Sequence, residues 1–562
     1  MNRPIRKVTI AFAVLFVALF VNLNVVQVVK GSDYRNNANN RRVLLNEYAS
    51  PRGQIVVQGT NIAESVKTSD ELRYLRKYPA GPVYAPATGF YSFIYGSSGI
   101  EGAQNGLLSG DDSRLFTNRL SALLTGRNPT GGSVDLTLNR NAQNAAYQAM
   151  RTKNGQFKRG AVVALDPRNG KILALVSTPS YDPNALASHD SNAIVNAYQC
   201  YSGLSQGKSV AAQIAARKKD CKDVPNDPTA VFAKYPDDPG PMFDRALSGT
   251  YPPGSIFKII DSAAAINTDL ASKRSAAKYT SATSIPAPNY YWPLDETRTS
   301  RCPSNLSGAC IENFEGEACQ NGRTATLLYA FAKSCNTAFA KLAVDALGAR
   351  ALAAQARKFG LDTAPHGTPL PVATSTIGSL RELSTDNAAL AQTAFGQRNA
   401  RVTPLQAAEL ASAVANNGLL MRPYLIDNEK RPNLSTLSTT QSQQQSQVID
   451  TDLDPEIVKL MEGVVSSPEG TGHPAQVTRF GSQVVVGGKT GTADVGATSA
   501  SKIPPDAWFT GFAMVKGVPR IAVAVLVENG GVAGNEATGG LAAGPIAKKV
   551  MTEYLTDIGV HR

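Results

Sequence analysis

The chain has 562 residues, of which 43% are hydrophobic and 18% charged. At about 150 residues per domain there is room for roughly three domains and a large apolar core, which excludes a wholly disordered chain. The net charge of +12 comes from scattered lysines and arginines with no basic run interleaved with aromatics, a pattern that argues against a nucleic-acid binder.

Arg3, Arg6 and Lys7 precede an apolar run from Val8 to Val29, broken late by Asn22, Asn24 and Gln27. A bilayer takes about 20 such residues. No small-x-small cleavage site follows cleanly, so the expectation is an uncleaved anchor, residues 1–30, with its basic end inside and everything after Lys30 outside. Six cysteines, an even number, fit an oxidising exterior. A polar linker, Gly31 to Asn46, comes next. Arg52–Val57 reads as the first strand of a folded region that mixes short strands with Tyr74, Tyr78, Tyr84, Phe90, Tyr91 and Tyr95 up to about Gly132. It holds no catalytic constellation. Thr137–Asn139 leads into a helical pattern, Ala142 to Met150. Gly160–Leu165 and Lys171–Val176 then read as two strands joined by the turn Asp166–Gly170. From about Asn196 to Gly240 the chain is polar and irregular, as it is again from Ser284 to Arg323.

Between those stretches lies Tyr251-Pro252-Pro253-Gly254-Ser255-Ile256-Phe257-Lys258. Two prolines and a glycine turn the backbone into a helix start, where a missing proline N–H costs nothing. Ser255 sits near the positive end of the helix dipole. Lys258, at i+3, shares its face. The following Ile259, Ile260, Ala263, Ala264, Ala265 and Ile266 mark a buried helix. A desolvated lysine loses its proton readily and can take one from a serine hydroxyl. A serine and a lysine three apart are common on solvated helix faces, so this pair alone is a weak signal. Ser334-Cys335-Asn336, after a helical pattern Leu327 to Lys333, and Lys489-Thr490-Gly491-Thr492 strengthen it. Thr403, Pro404 and Gln406 predict a capped helix start, with Ala407–Ala415 ending before Asn417-Gly418. Ser435–Gln447 reads as a surface loop by composition. Gln483–Val486, Trp508–Met514 and Ile521–Glu528 read as strands and Ala542–Leu555 as a closing helix. Strands early and late around a helical block predict an α/β fold, a mixed sheet sandwiched by helices.

The ordered set Ser-x-x-Lys, Ser-x-Asn and Lys-Thr-Gly resembles that of class B penicillin-binding proteins and serine β-lactamases, with Cys335 where the middle triplet ordinarily has aspartate. The resemblance implies an N-terminal α+β pedestal over 31–157, a penicillin-binding transpeptidase domain over 158–562, and an insertion at about 196–240. It implies a D-Ala-D-Ala transpeptidase that cross-links peptidoglycan stem peptides through an acyl-enzyme on Ser255 and is acylated by β-lactams, with no cofactor and no metal. Lys258 is then the base, Ser334 a proton relay and Asn336 a hydrogen-bonding partner for substrate amide. Lys489 adds positive charge beside Lys258. Thr490, Gly491 and Thr492 border the substrate, glycine leaving room for it along an edge strand, and the backbone N–H groups of Ser255 and Thr492 form the oxyanion hole. The outer chain before the hairpin is too short for a glycosyltransferase, so the implied partners are a separate membrane glycan polymerase and the elongation or division machinery. The positive charge would suit anionic wall polymers. A β-lactamase of class A needs a deacylating glutamate; between Arg350 and Ala408 there is only Glu382, which reads as surface. A catalytically silent β-lactam sensor or divisome scaffold of the same fold is the other alternative.

If Ser334 and Asn336 both face the cleft on an extended loop, Cys335 points inward. The first-ranked pairing is then Cys319–Cys335, leaving Cys200–Cys221 and Cys302–Cys310 as local bridges, although six cysteines leave other connectivities open.

Overall fold

The computed structural model describes residues 3–26, 30, 47–124, 130–152, 154–267, 279–295, 297–303, 310–365, 367–494, 503–531, 534 and 537–562. The linker Gly31–Asn46 and the end of the apolar run, residues 27–29, lie outside them. The first element is a helix, Arg3–Asn24, exposed along its described length. Its Pro4–Asn24 segment is long and apolar enough to cross a membrane.

Two sheets organise the rest. The first is six-stranded, in the order Thr436–Thr439, Ile426–Lys430, Ser133–Leu136, Ile55–Val57, Thr60–Lys67, Tyr74–Lys77. Ile55–Val57 runs parallel to Ser133–Leu136, and the other neighbours are antiparallel. The tract expected as a loop, Ser435–Gln447, thus supplies the strands Thr436–Thr439 and Gln444–Gln447. Polar composition misleads there because both strands are only partly buried, and an edge strand needs no apolar face. Glu101 is fully buried in this part of the molecule, with Arg52 and Arg76 each 2.6 Å away and the Tyr78 hydroxyl donating at 3.2 Å. Two guanidinium groups hold its carboxyl below the usual carboxylate range against the opposing effect of burial.

The second sheet is five-stranded and antiparallel throughout, in the order Val484–Ala493, Asp506–Val515, Val518–Val527, Gly160–Leu165, Ile172–Thr178. Mixed pairing therefore belongs to the first sheet and not to this one. Its inner strands are apolar on both faces because helices cover both. Ala161, Val163 and Leu165 point into one core, while Val162 and Ala164 point into the other, as the two-residue period of a strand requires. On the first face lies the helix Pro404–Ala415, every residue of which is buried. Its many alanines let the backbone close on the sheet, and Thr510 donates its hydroxyl to the Ala407 carbonyl at 2.5 Å. Thr403 caps this helix by accepting from Gln406 N–H at 3.0 Å. The reciprocal half of the expected capping box does not form: the Gln406 side chain donates instead to the Phe359 carbonyl. On the second face packs the closing helix, Gly544–Asp557, beside Arg140–Ala149.

Three disulfides are present, Cys200–Cys221, Cys302–Cys310 and Cys319–Cys335. The stretch expected to be irregular, Asn196–Gly240, is substantially helical: Ser191–Tyr201, Val210–Asp220 and Thr229–Lys234. Short capped helices with little apolar periodicity carry almost no sequence signal. The end of this stretch is fastened into the second sheet. Asp238 accepts from Arg159 at 2.6 Å and from Arg245 at 2.5 Å, while Glu528 accepts from Arg245 at 2.9 Å and from the Tyr251 hydroxyl at 3.0 Å. Arg159 also pairs with Glu528 at 2.5 Å. Two guanidinium groups and two carboxylates thereby neutralise one another out of water. Removing one member strands the others, so Arg245→Ala is expected to cost about 3–5 kcal/mol. Denaturant unfolding of the variant checks this; an unchanged midpoint would show that the cluster is not a structural tie.

Candidate active site

The turn that carries Ser255 is held from several sides. Tyr251 exchanges backbone hydrogen bonds with Val402 at 3.0 and 2.9 Å, and Gly254 N–H donates to the Gly396 carbonyl at 3.0 Å. Trp508 donates its indole N–H to the Pro252 carbonyl at 3.0 Å. Gly254 has φ +53° and packs so tightly that a Cβ there would lie 2.7 Å from the Thr492 carbonyl oxygen, so both its conformation and its contact require glycine. The chain then makes a 3₁₀ turn, Gly254–Phe257, before the α-helix Lys258–Asn267. With three residues per 3₁₀ turn, positions i and i+3 eclipse. Ser255 Oγ consequently stands 3.0 Å from Lys258 Nζ.

Lys258 is fully buried. Its Nζ is 2.7 Å from the Ser334 carbonyl, 2.8 Å from Asn336 Oδ1 and 3.3 Å from Ser334 Oγ. No carboxylate pairs with it among the described residues. Burial drives its amine well below the ordinary lysine value, and the charge of Lys489 pushes in the same direction. A neutral amine has two N–H donors and one lone pair. The Ser334 carbonyl and Asn336 Oδ1 can only accept, so they occupy the two donors. The lone pair is left for the Ser255 hydroxyl.

Ser334 reaches this position by a route the sequence reading did not foresee. The helix Leu327–Ala332 ends with Lys333 as its cap, and Ser334 follows in the left-handed region at φ +62°. Ser334 N–H donates to the Phe331 carbonyl at 3.2 Å and Cys335 N–H to the Ala330 carbonyl at 2.9 Å. This pair of bonds is a Schellman ending, a position that glycine usually fills. The loop is therefore not extended. Cys335 faces inward because the left-handed residue reverses the chain, after which Asn336 opens the helix Asn336–Leu342. Asn336 is oriented by donating from Nδ2 to the Glu312 carbonyl at 3.2 Å.

Lys489 lies on the edge strand of the five-stranded sheet, fully buried. It donates to Ser334 Oγ at 2.8 Å and to the Thr490 carbonyl at 3.1 Å. Burial lowers its pKa to about 7. Ser334 Oγ thus stands between the two amines. Thr492, three residues beyond Lys489, is partly exposed. Gly491 packs against the turn that carries Ser255. A Cβ there would meet the Pro253 carbonyl at 2.8 Å and Ile256 at 3.1 Å, so the missing side chain makes room for that turn.

Two residues escaped the sequence reading. Asp261, one turn beyond Lys258, is fully buried, and neither carboxyl oxygen has a hydrogen-bond partner among the described residues. Burial raises its pKa well above the ordinary aspartate value, with Lys258 opposing, which favours its neutral form. An acidic residue inside an apolar helical run was the available signal. Thr471 is the other. Its Oγ1 lies 2.6 Å from Thr490 Oγ1 and donates to the Ala332 carbonyl at 3.3 Å. Either hydroxyl can donate in the shorter bond. Thr471 so links the edge strand to the helix that carries Ser334. Glu382 is held outside this cluster by Arg398 and Asn399.

Residues 160–552 match the family described as penicillin binding protein transpeptidase domain, and residues 52–134 the one described as penicillin binding protein A dimerisation domain. The chain is 41% identical over 558 residues to the peptidoglycan D,D-transpeptidase PbpA of Mycolicibacterium smegmatis, covering 99% of this chain and 100% of the relative. It is 40% identical over 556 residues to PbpA of Mycobacterium tuberculosis H37Rv, covering 99% of each. The structure superposes with TM-score 0.74 and 40% identity on the ceftriaxone acyl-enzyme of M. tuberculosis penicillin-binding protein A, covering 91% of this chain and 100% of that one. For the penicillin G acyl-enzyme of the same protein the TM-score is 0.72 at 39% identity, covering 90% and 100%.

If Lys258 works as a neutral base, Lys258→Arg should abolish β-lactam acylation as fully as Lys258→Ala, since a guanidinium stays protonated. The rate in the unaltered protein should fall as pH drops through the lowered pKa of Lys258, where the amine gains a proton and loses its lone pair. Stopped-flow acylation across pH tests both; a working arginine variant would reduce the lysine to a source of charge. Thr471→Val, which keeps the shape but not the bonds, should slow acylation about fivefold, near the worth of one hydrogen bond. An unchanged rate would mean that Thr490 needs no such partner.

Proposed function

This chain belongs to the penicillin-binding protein transpeptidase family, and we propose that Ser255 is its nucleophile and Lys258 its base. It is a serine-type peptidoglycan D,D-transpeptidase and a target of β-lactams. The single observation that carries the residue assignment is the Lys258 amine, buried beside Ser255 Oγ at 3.0 Å with its two donors occupied elsewhere.

In this reading Ser255 Oγ attacks the carbonyl of the penultimate D-alanine of a stem peptide as its proton passes to Lys258. The backbone N–H groups of Ser255 and Thr492 receive the developing oxyanion; close packing of Gly254 against Thr492 supports their convergence. Ser334, between the two lysines, relays the proton to the departing D-alanine amine. Thr492 takes the terminal carboxylate with its hydroxyl, and Lys489 adds charge from behind. The acceptor amine then reverses the sequence on the ester. A β-lactam enters the same path, but its leaving amine stays tethered after the ring opens.

One N-terminal helix suits single-pass anchoring. We propose that the catalytic part lies outside the cytoplasm. Arg3, Arg6 and Lys7 before the apolar run support this, as do three disulfides. A separate membrane glycan polymerase and the elongation or division machinery complete the proposed partners, because the matched families cover 52–134 and 160–552 without describing a polymerase.

Incubation with benzylpenicillin should add one penicilloyl group to the peptide carrying Ser255, and Ser255→Ala should remove it, as read by peptide mass. An adduct on another serine, or an undiminished adduct in the variant, would falsify the assignment.

A further inference from the structure

Asn336 is the first residue of the helix Asn336–Leu342, and its side chain is one of the two fixed acceptors that meet the Lys258 amine. A helix start leaves N–H groups without partners, and the residue before it ordinarily covers one of them with a side-chain oxygen. Here that residue is Cys335. Its sulfur is bonded to Cys319, and it makes no capping hydrogen bond. An aspartate in its place could have capped the helix by itself.

The capping oxygen comes instead from a side chain 24 residues before Thr337 in the chain. Asn313 is buried, and its Oδ1 accepts from the Thr337 N–H at 3.1 Å and from the Thr337 hydroxyl at 3.2 Å. Thr337, the second residue of the helix, is fully buried. Its N–H would lose its partner outright if the Asn313 side chain were shortened.

Asn313 is itself held in place. Its Nδ2 donates to the Glu317 carbonyl at 3.0 Å, and its own carbonyl accepts from the Gly316 N–H at 3.0 Å. The carbonyl of the preceding residue, Glu312, accepts from Asn336 Nδ2 at 3.2 Å. One dipeptide thus grips Asn336 twice, by its side-chain amide and by the helix turn that it opens. Ile311–Glu312 pairs with Tyr290–Tyr291, and the Cys302–Cys310 bridge closes immediately before Ile311, so the dipeptide is braced from behind.

An amide has one accepting end and one donating end. With Nδ2 committed to Glu312, the Asn336 oxygen is left for Lys258 Nζ at 2.8 Å. A shift of Asn336 would release one of the two donors of the amine. The amine could then turn an N–H, in place of its lone pair, toward Ser255 Oγ.

We propose that Asn313 is a positioning residue for acyl transfer: it caps the helix Asn336–Leu342 from a separate segment and so keeps the amide oxygen of Asn336 on Lys258. This deepens the reading of Ser255 as nucleophile and Lys258 as base, and rests on it.

The test uses full-length protein in detergent and the variants Asn313→Ala, Asn313→Asp and Thr337→Val. Acylation by benzylpenicillin is followed by stopped flow across pH. Hydrogen exchange read by mass reports the protection of peptide 336–342. Asn313→Ala should lower the plateau rate about tenfold, near the worth of a buried hydrogen bond left unmade. Its acid limb should also move to lower pH, because an ammonium that loses an acceptor gives up its proton more readily. Asn313→Asp keeps Oδ1 as an acceptor in either protonation state and should recover part of the rate. Thr337→Val keeps the capped N–H and should fall between the alanine variant and the unaltered protein. Exchange of 336–342 should quicken most in Asn313→Ala. An unchanged rate and pH profile in that variant, unchanged exchange of 336–342, or an aspartate variant no better than alanine would overturn the proposal. A slower rate with an unmoved acid limb would leave Asn313 a structural cap and overturn its positioning role. The penicilloyl group of the unaltered protein is mapped by peptide mass. Its absence from Ser255 would overturn the nucleophile reading, and exchange would then decide by itself whether Asn313 caps the helix.

Discussion

The site depends on one constraint: a lysine amine is enclosed without a counter-ion. A buried ammonium without an anion is costly, and Lys258 meets two fixed acceptors where a carboxylate could have stood. Burial favours the uncharged amine, whose lone pair we propose is directed to the serine. The nearest acid on its own helix, Asp261, opposes this little, because burial raises its pKa and favours its neutral form too. Had Asp261 been ionised and paired with Lys258, the lysine would have kept its proton and lost its basicity.

Keeping that arrangement requires the surrounding backbone to be stiff, and the fold supplies stiffness from unrelated segments. The turn before Ser255 is tied to Val402, Gly396 and Trp508. The Tyr251 hydroxyl donates a hydrogen bond to Glu528, which belongs to the neutral cluster of Arg159, Asp238 and Arg245. The 196–240 stretch therefore fastens the floor beneath the nucleophile through Asp238. Across the cleft, Thr471 binds the edge strand to the end of the helix bearing Ser334, and the Cys319–Cys335 bridge holds the other side of that same turn.

Close packing also accounts for the glycines of the site. Gly254 faces the Thr492 backbone and Gly491 the Pro253 carbonyl across the junction of turn and strand. A methyl group at either would push the strand from the nucleophile, and with it the amides proposed to meet the oxyanion. Their positions reflect tolerances of a few tenths of an ångström in a packed interior, and not an open path for substrate.

Much of this was legible in the chain. Ser255 and Lys258 at i+3 before an apolar helical run, the hairpin around Asp166–Gly170, the capped helix at Thr403 and the Lys489–Thr492 strand all follow from local rules, because periodicity, turn chemistry and capping act over a few residues. The disulfide partners of Cys335 and Cys200 were also legible. The reason given for Cys335 was not: an extended loop was expected, and a left-handed Schellman ending does the work. Invisible in the chain were Thr471, the neutral Asp261, the alternative partner of Gln406 and the sheet that Ile426–Thr439 joins with Ser133–Leu136. Each depends on which distant groups burial brings together and which hydrogen bonds are then left unclaimed. Only the tertiary structure decides that, since the protonation of a lysine is set by the dielectric and the acceptors around it and not by its neighbours in sequence.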